Sequence, residues 1–287
     1  MIKILSVDQS READAFTIEN EPIASIDLME RAAQACAKYI KKHFSGKKIC
    51  IYAGCGNNGG DGLAIGRQLQ NDGFEVEFHL IEFSNTYSPD FKENLRRLNA
   101  LNIEPIVYKA TDVPVQPDPE AIVVDAIFGS GLSRKLEGWL ADVVGAMNQW
   151  RLPIVSIDIP SGLFADEEIE NAVVVDADFT LTFQAPKFNF LLPDTGNHCG
   201  QVITLDIGIH PGFIESLKTP YFLLEASDIP AILPERKKFS HKGTFGHALI
   251  MSGSKGKTGA AVLASRACLR SGVGLLTTYI PAASMNV

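Results

Sequence analysis

Apolar positions recur at helical spacing over residues 26–44, where Leu28, Met29, Ala32, Ala33, Ala35, Cys36, Tyr39 and Ile40 share one face. Ser25 or Asp27 can cap the start and Gly46 follows the end, so the spacing predicts a helix. Residues 48–53 (KICIYA) form a short apolar run, which predicts a buried strand. A helix over 61–72, closed by Gly73, and a second strand over 75–83 come next. The alternation then repeats. Helices are expected over 88–101 and 139–150, and strands over 121–128 (AIVVDAIF), 153–159 (PIVSIDI), 179–183 and 201–207. Strands interleaved with helices imply crossover units on a mostly parallel sheet that is covered on both faces. The expected fold class is α/β, a Rossmann-like three-layer α/β/α sandwich.

The pattern loosens over 211–234, where Pro220, Pro230 and Pro234 punctuate the chain, and Arg236-Lys237-Lys238 follows. A boundary is expected near residue 220, giving domains 1–219 and 220–287. The second part reads as a strand over 248–252, a Gly-rich turn, a helix over 259–271 and a strand over 275–280. One strand-helix-strand unit cannot bury both of its faces, and roughly 65 residues are too few for a complete domain of this topology. The tail is therefore expected to be the beginning of a longer α/β domain.

Composition narrows the function. The chain has 287 residues, 46% of them hydrophobic, enough for a sizeable core. The formal net charge of −8 argues against nonspecific binding to nucleic acid or membranes, but leaves room for a small anionic ligand in a local pocket. Five cysteines, an odd number with no CxxC pair, suit neither a disulfide framework nor a zinc knuckle. Reduced thiols in a cytoplasmic protein are expected instead. The start lacks a signal-peptide pattern, and no run reaches ~18 apolar residues.

Three polar segments interrupt the apolar pattern at strand ends. The first runs Gly54-Cys55-Gly56-Asn57-Asn58-Gly59-Gly60-Asp61-Gly62. It satisfies GxGxxG, and Glu82 lies near the spacing of a ribose-binding acid, so a dinucleotide fingerprint is one reading, though GxGxxG alone is weak evidence. Glycines permit close backbone approach, a helix start offers free N–H groups to anionic oxygen, and the Asn57 and Asn58 amide oxygens suit a group I or II cation. The plainer alternative is a tight turn with Asp61 as helix cap. The second segment runs from Asp125 through Gly129-Ser130-Gly131-Leu132-Ser133-Arg134-Lys135. A carboxylate inside an apolar strand needs partners, and the following loop could grip phosphate. Alternatively, Arg134 and Lys135 are solvated loop charges. The third is Ser156-Ile157-Asp158-Ile159-Pro160-Ser161-Gly162, with Asp158 at another strand end. In open α/β sheets ligands bind beyond the carboxyl ends of the strands, so the three segments are expected to converge.

Together, GCGNNGGDG, VDAIFGSGLSRKL, SIDIPSGL and TFQAPKFNFLLPDTGNHCGQVITLDIGI resemble the YjeF N-terminal domain, the NAD(P)H-hydrate epimerase, from about Leu5 to Ile209. The tail, HKGTFGHALIMSGSKGKTGAAVLASRACLRSGVGLLTTYIP, resembles the start of the ribokinase-like, ADP- or ATP-dependent NAD(P)H-hydrate dehydratase. The resemblance implies a metabolite-repair enzyme that interconverts the R and S forms of hydrated NADH and NADPH (NADHX and NADPHX) at C6 of the nicotinamide ring. It implies hydrate contacts at Asn57, Asn58, Gly59, Gly60 and Asp61. It implies further contacts at Gly129, Ser130, Gly131, Leu132, Ser133, Arg134, Lys135 and Asp158. It also implies a potassium ion on Asn58, Asp125 and Ser161, and a homo-oligomer. Asp158 is the candidate general acid and base, with Asp61 as an alternative acid. In the tail, Ala260 matches a hydrate-contacting position. The dehydratase's Gly-Thr-Gly-Asp motif, which carries its catalytic Asp, does not occur in these residues, so dehydration is not expected from this chain by itself. Three rival readings remain: a non-catalytic nucleotide-binding scaffold, a small-molecule kinase suggested by the tail, and an ordinary NAD dehydrogenase suggested by GxGxxG.

Overall fold

A strand that is apolar on both faces must be covered on both sides. A computed structural model, which describes residues 1–167, 172–233 and 235–282, meets that demand with three layers. Its elements run β1 (Ile2–Lys3), α1 (Val7–Asn20), α2 (Ser25–His43), β2 (Ile49–Ala53), α3 (Asn57–Asn71), β3 (Val76–Ile81), α4 (Pro89–Asn99), β4 (Ile106–Tyr108), β5 (Ile122–Ala126), α5 (Trp139–Gln149), β6 (Ile154–Ile157), β7 (Phe179–Phe183), α6 (Pro193–Gly196), β8 (Gln201–Leu205), α7 (Pro211–Ser216), β9 (Phe222–Leu223), α8 (Ile229–Ile232), β10 (His247–Met251), α9 (Gly259–Arg270) and β11 (Leu275–Tyr279). Among the described residues no helix is long and apolar enough to cross a membrane.

The main sheet has seven parallel strands in the order β4-β3-β2-β5-β6-β7-β8. Side chains alternate between its faces. Ile49, Ile51 and Ala53 of β2 pack with α2, α3 and α4 through Cys36, Leu63 and Phe91. Cys50 and Tyr52 pack on the other face with Val143, Met147 and Trp150 at α5. The chain lays β3 and β4 outward from β2, then returns and builds β5 to β8 on the opposite side. Strand order therefore reverses between β2 and β5. The loops leaving their carboxyl ends lead to helices on opposite faces, which opens a crevice at that point. The register aligns Tyr52 with Asp125 and Asp125 with Ser156, so the two loops of interest leave the sheet side by side.

The chain divides into two compact units, Met1–Glu225 and Ala226–Val287. The division falls a few residues later than residue 220 because β9 pairs antiparallel with β1, Ile2 opposite Leu223, and so belongs to the first unit. The Ile4 N–H also donates to the Tyr221 carbonyl at 3.1 Å. In the second unit β10 and β11 pair in parallel with α9 between them. Ala261 is its one buried hydrophobic residue among the described residues, while Leu249, Met251, Leu263 and Tyr279 are exposed. Pro234 lies outside the described residues.

Several short elements, among them the edge strand β4 and the pair β1 and β9, have no counterpart in the sequence reading, and two differences bear on the site. Helix α1 was not expected, since its turns bury only Ala13 and Thr17 and carry little apolar periodicity. A capping box starts it: Ser6 Oγ accepts from the Gln9 N–H, and Gln9 Oε1 accepts from the Ser6 N–H, each at 3.2 Å. Helix α3 begins at Asn57, not at 61, with Gly56 as its N-cap. Asp61 sits one turn inside the helix, so the helix-cap alternative for it fails.

Candidate active site

The crevice is built from the ends of β2, β5, β6 and β7. At the end of β2 the chain must pass very close to β5. The Gly54 N–H donates to the Ala126 carbonyl at 3.0 Å. A Cβ added at Gly54 would lie 2.0 Å from the Ile127 carbonyl oxygen, so only glycine fits. Helix α3 then starts with no side-chain cap, leaving its first N–H groups without intrahelical partners beside the crevice. Gly129 faces this helix start: a Cβ there would lie 3.1 Å from Asn58 Cβ. Asn58 is buried, and neither its Oδ1 nor its Nδ2 has a hydrogen-bond partner among the described residues. A buried amide with both ends unpaired is costly, which marks a place where a ligand or ion belongs.

A saturated carboxylate anchors the loops after β5 and β6. Asp125 is fully buried and accepts from Ser161 Oγ at 2.5 Å, Ser156 Oγ at 2.7 Å, the Ser161 N–H at 2.9 Å and the Ile127 N–H at 3.3 Å. Burial pushes its carboxyl up, while the Ser161, Ser156 and Ile127 donors pull it back. Ser161 Oγ also accepts from the Phe128 N–H at 2.8 Å and lies 3.3 Å from the Phe128 carbonyl. The loop after β5 and the loop after β6 are thus tied together.

Asp158 follows β6 with φ +63°, a left-handed conformation that costs free energy for a non-glycine residue. Its N–H donates to the Leu181 carbonyl at 2.8 Å, which fixes that bend. Only 8% exposed, its carboxylate pairs with Lys187 Nζ at 3.0 Å and accepts from the Ser130 N–H at 3.3 Å. Burial alone would raise this carboxyl. The Lys187 ammonium and the Ser130 hydrogen bonds together overcome burial and hold it below the ordinary carboxylate value. Lys187 is itself only 5% exposed.

These groups surround a cleft of about 550 Å3. Of the residues singled out from the sequence, Asn57, Asn58, Asp61, Gly129, Ser130, Gly131, Leu132, Ser133, Arg134 and Asp158 all line it. The expected convergence of the three segments is therefore present. Gly59 and Gly60 do not line the cleft. They are buried in the first turn of α3, Gly59 against the Gly54 backbone and Gly60 against Met29. Their lack of side chains lets α3 start this close to the sheet. Lys135 does not line the cleft either, although its neighbour Arg134 does, so the pair does not act as one grip. Asp125 and Ser161 lie buried among the loop contacts described above. Ala260 lies in the second unit, exposed in the first turn of α9.

Three contributors were not singled out from the sequence. Lys187 lay inside the QAPKFNF segment but has no periodicity to mark it. Arg11 and Asp14 come from α1 and line the cleft as well. The Ser6-Gln9 capping box was the one signal that could have placed that helix. Asp14 is raised to about 6, by burial first and then by the Asp158 charge, against a lowering pull from Lys187. Asp61 is raised well above the ordinary value by burial and by Asp158, Asp14 and Asp90. Deeper in, a small cavity of about 80 Å3 is lined by Asp14, Ser130, Asp158, Phe183, Gln184 and Lys187, with Ile207, Ile209 and Ile214 among the apolar residues of its wall.

Seven parallel strands, a crevice at the point of reversal and an Asn-Asn-Gly-Gly-Asp helix start form one arrangement. The family described as YjeF-related protein N-terminus matches residues 25–188, more than half of the chain. This chain belongs to that family. Among its YjeF-type relatives, a bifunctional NAD(P)H-hydrate repair enzyme Nnr from Moorella thermoacetica is 33% identical over 97% of this chain and 54% of its own length. A protein of the same description from Coxiella burnetii is 31% identical over 94% of this chain and 54% of its own length. An NAD(P)H-hydrate epimerase from Limosilactobacillus fermentum is 36% identical over 70% of this chain and 95% of its own length. The chain thus spans about half the length of the bifunctional relatives it matches. The crystal structure of the yeast protein ynu0 shares the fold, with a TM-score of 0.56 and 22% identity over 71% of this chain and 88% of that one.

Proposed function

We propose that the cleft is the active site of an NAD(P)H-hydrate epimerase, which interconverts the R and S forms of NADHX and NADPHX as metabolite repair. The proposal includes a cytoplasmic homo-oligomer that takes a small-molecule substrate and no nucleic acid. The observation that carries the reading is Asp158, a buried carboxylate kept ionised by Lys187 at the mouth of a helix N-terminus and a glycine-rich loop. The L. fermentum relative, described as an epimerase and matched along nearly its whole length, supports it.

The chemistry needs few parts. The hydrate carries a hydroxyl on C6, next to the ring nitrogen. The nitrogen lone pair expels it and leaves a conjugated iminium, and water returns from the other face. An acid must help the hydroxyl leave, and a base must activate water. Asp158 is positioned for proton transfer and, when ionised, stabilises the developing ring cation. The N–H groups at the start of α3 and the 129–134 loop, with Arg134, suit the pyrophosphate. A hydride-transfer reading gains no comparable support.

The oxygen donors of this site fit a potassium ion. Asn58 presents a buried amide oxygen without a partner, and Ser161 Oγ, the Phe128 carbonyl and Asp125 supply further oxygen and negative charge. We assign the ion to Asn58, Asp125 and Ser161. When bound it offsets the Asp125 charge and ties α3 to the loops after β5 and β6. The dehydration that uses ADP or ATP is proposed for the longer whole protein and assigned to no residue of this chain, which lacks the Gly-Thr-Gly-Asp motif.

The test starts from one purified epimer of NADHX and follows the appearance of the other by chromatography. Accelerated equilibration is expected, and Asp158→Asn abolishes most of it. No acceleration, with NADP binding retained, would establish the scaffold reading instead.

A further inference from the structure

Inversion at C6 raises a geometric problem. The hydroxyl leaves from one face of the ring and water arrives at the other, so one carboxylate on one side cannot serve both events directly. The inner cavity answers this with two carboxyl groups from different elements: Asp158 from the end of β6 and Asp14 from α1. Of the cleft's carboxyls, Asp61 lines only the wider part, whereas Asp14 and Asp158 line both the wider cleft and the inner cavity. We propose that Asp14 is the second proton-handling group of this site, exchanging acid and base roles with Asp158 across the nicotinamide ring. The inference rests on the epimerase reading and adds the residue that makes it work in both directions.

The surroundings of Asp14 support the assignment. It is half-buried and has no hydrogen bond or ion pair among the described residues, so its carboxyl is not consumed in holding the fold. The charged groups that share its cleft or inner cavity are Arg11 from its own helix, Asp61 from α3, Arg134 after β5, Asp158 after β6 and Lys187 after β7. The wall from β8 and α7 is apolar: Ile207, Ile209 and Ile214. In this setting burial and the Asp158 charge lift Asp14 to about 6, while Lys187 holds Asp158 low. Near neutrality one carboxyl of the pair is therefore poised to give a proton and the other to take one.

In one direction the Asp14 proton passes to the departing C6 hydroxyl. The C6–O bond breaks with its electron pair on oxygen, water leaves, and the ring nitrogen supplies the pair that forms the iminium. A water then attacks C6 from the opposite face. Its oxygen pair forms the new C–O bond, the iminium pair returns to nitrogen, and its surplus proton goes to Asp158. The other epimer runs with protonated Asp158 as donor and ionised Asp14 as acceptor. Protons exchanged with solvent restore the starting state.

The test compares wild type, Asp14→Asn, Asp14→Glu, Asp61→Asn and the exposed control Glu12→Gln in epimer equilibration across pH 5–9. Asp14→Asn should lower kcat by roughly 10²–10⁴-fold with KM within about threefold of wild type. In wild type the rate should fall as pH rises through about 6, since the acid form of Asp14 is then lost. That limb should vanish in Asp14→Asn, persist in Asp61→Asn and return in part with Asp14→Glu, while Glu12→Gln matches wild type. An Asp14→Asn enzyme with wild-type kcat, or a limb that vanishes only in Asp61→Asn, overturns the role of Asp14 while leaving the epimerase reading intact. A wild-type protein without epimerase activity overturns that reading itself. Should Asp14→Asn not fold, carboxyl NMR on wild type and Asp158→Asn decides: removal of the Asp158 charge should lower the Asp14 titration midpoint, and an unchanged midpoint overturns the pairing.

Discussion

Replacing Lys187 by Met keeps most of the side chain's volume and removes its charge. The consequence falls on Asp158, which is only 8% exposed and loses its sole cationic partner among the described residues, 3.0 Å away. What remains are the Ser130 N–H at 3.3 Å and Thr182 Oγ1 at 3.5 Å, both long for charge-assisted hydrogen bonds. Breaking one side of a buried ion pair costs about 3–5 kcal/mol. At about 2–4 °C per kcal/mol for a unit of this size, Tm should fall by roughly 6–20 °C at pH 7.5. The pH dependence fixes the cause. In wild type the Asp158 carboxyl is held below its ordinary value, so its stabilising contribution is present above that value and is lost only as pH falls through the lower, folded one. Without Lys187, burial raises the carboxyl instead. The folded state can then take up a proton, and the penalty should shrink as pH is lowered toward 4.5. Thermal unfolding of wild type, Lys187→Met and Lys187→Met/Asp158→Asn at both pH values measures this. The double variant should regain most of the lost Tm at pH 7.5. A single-variant loss under about 3 °C at pH 7.5, or a loss that grows in acid, would refute the buried-pair account.

Two further outcomes are expected. Potassium chloride should raise the Tm of wild type above that in a tetramethylammonium salt of equal ionic strength, and the difference should disappear in Asn58→Ala; at a hundred times its Kd a ligand adds about 2.7 kcal/mol, so an ion held by Asn58 is readable by differential scanning fluorimetry. Gly54→Ala should destabilise the first unit by about 3 kcal/mol or more, or leave it insoluble, because the new methyl would sit 2.0 Å from the Ile127 carbonyl oxygen; normal expression and an unchanged urea midpoint would contradict the close approach.

Much of the sheet was legible along the chain, since β2, β5 and β6 are mainly apolar runs and β3 keeps apolar residues at alternate positions, Val76, Phe78 and Leu80. Helix α2 was legible too, because one face carries Leu28, Ala32, Ala33, Cys36 and Ile40. The chemistry at the strand ends was visible for the same reason: Asn57, Asn58, Asp125 and Asp158 are polar residues where an apolar run should close on itself. What the sequence determined alone was therefore local, namely which segments seek burial, which turns demand glycine and which carboxylates need partners. Tertiary structure decided everything that depends on proximity across the chain. Helix α1 has too little apolar surface to declare itself, yet it brings Arg11 and Asp14 to the cleft. Lys187 lies 29 residues after Asp158 and meets it only because β6 and β7 run side by side. Whether Asp158 is ionised or Asp14 rises to about 6 is a property of that assembled neighbourhood, because a carboxyl's protonation is set by nearby charge and lost water, and neither is written in the order of residues.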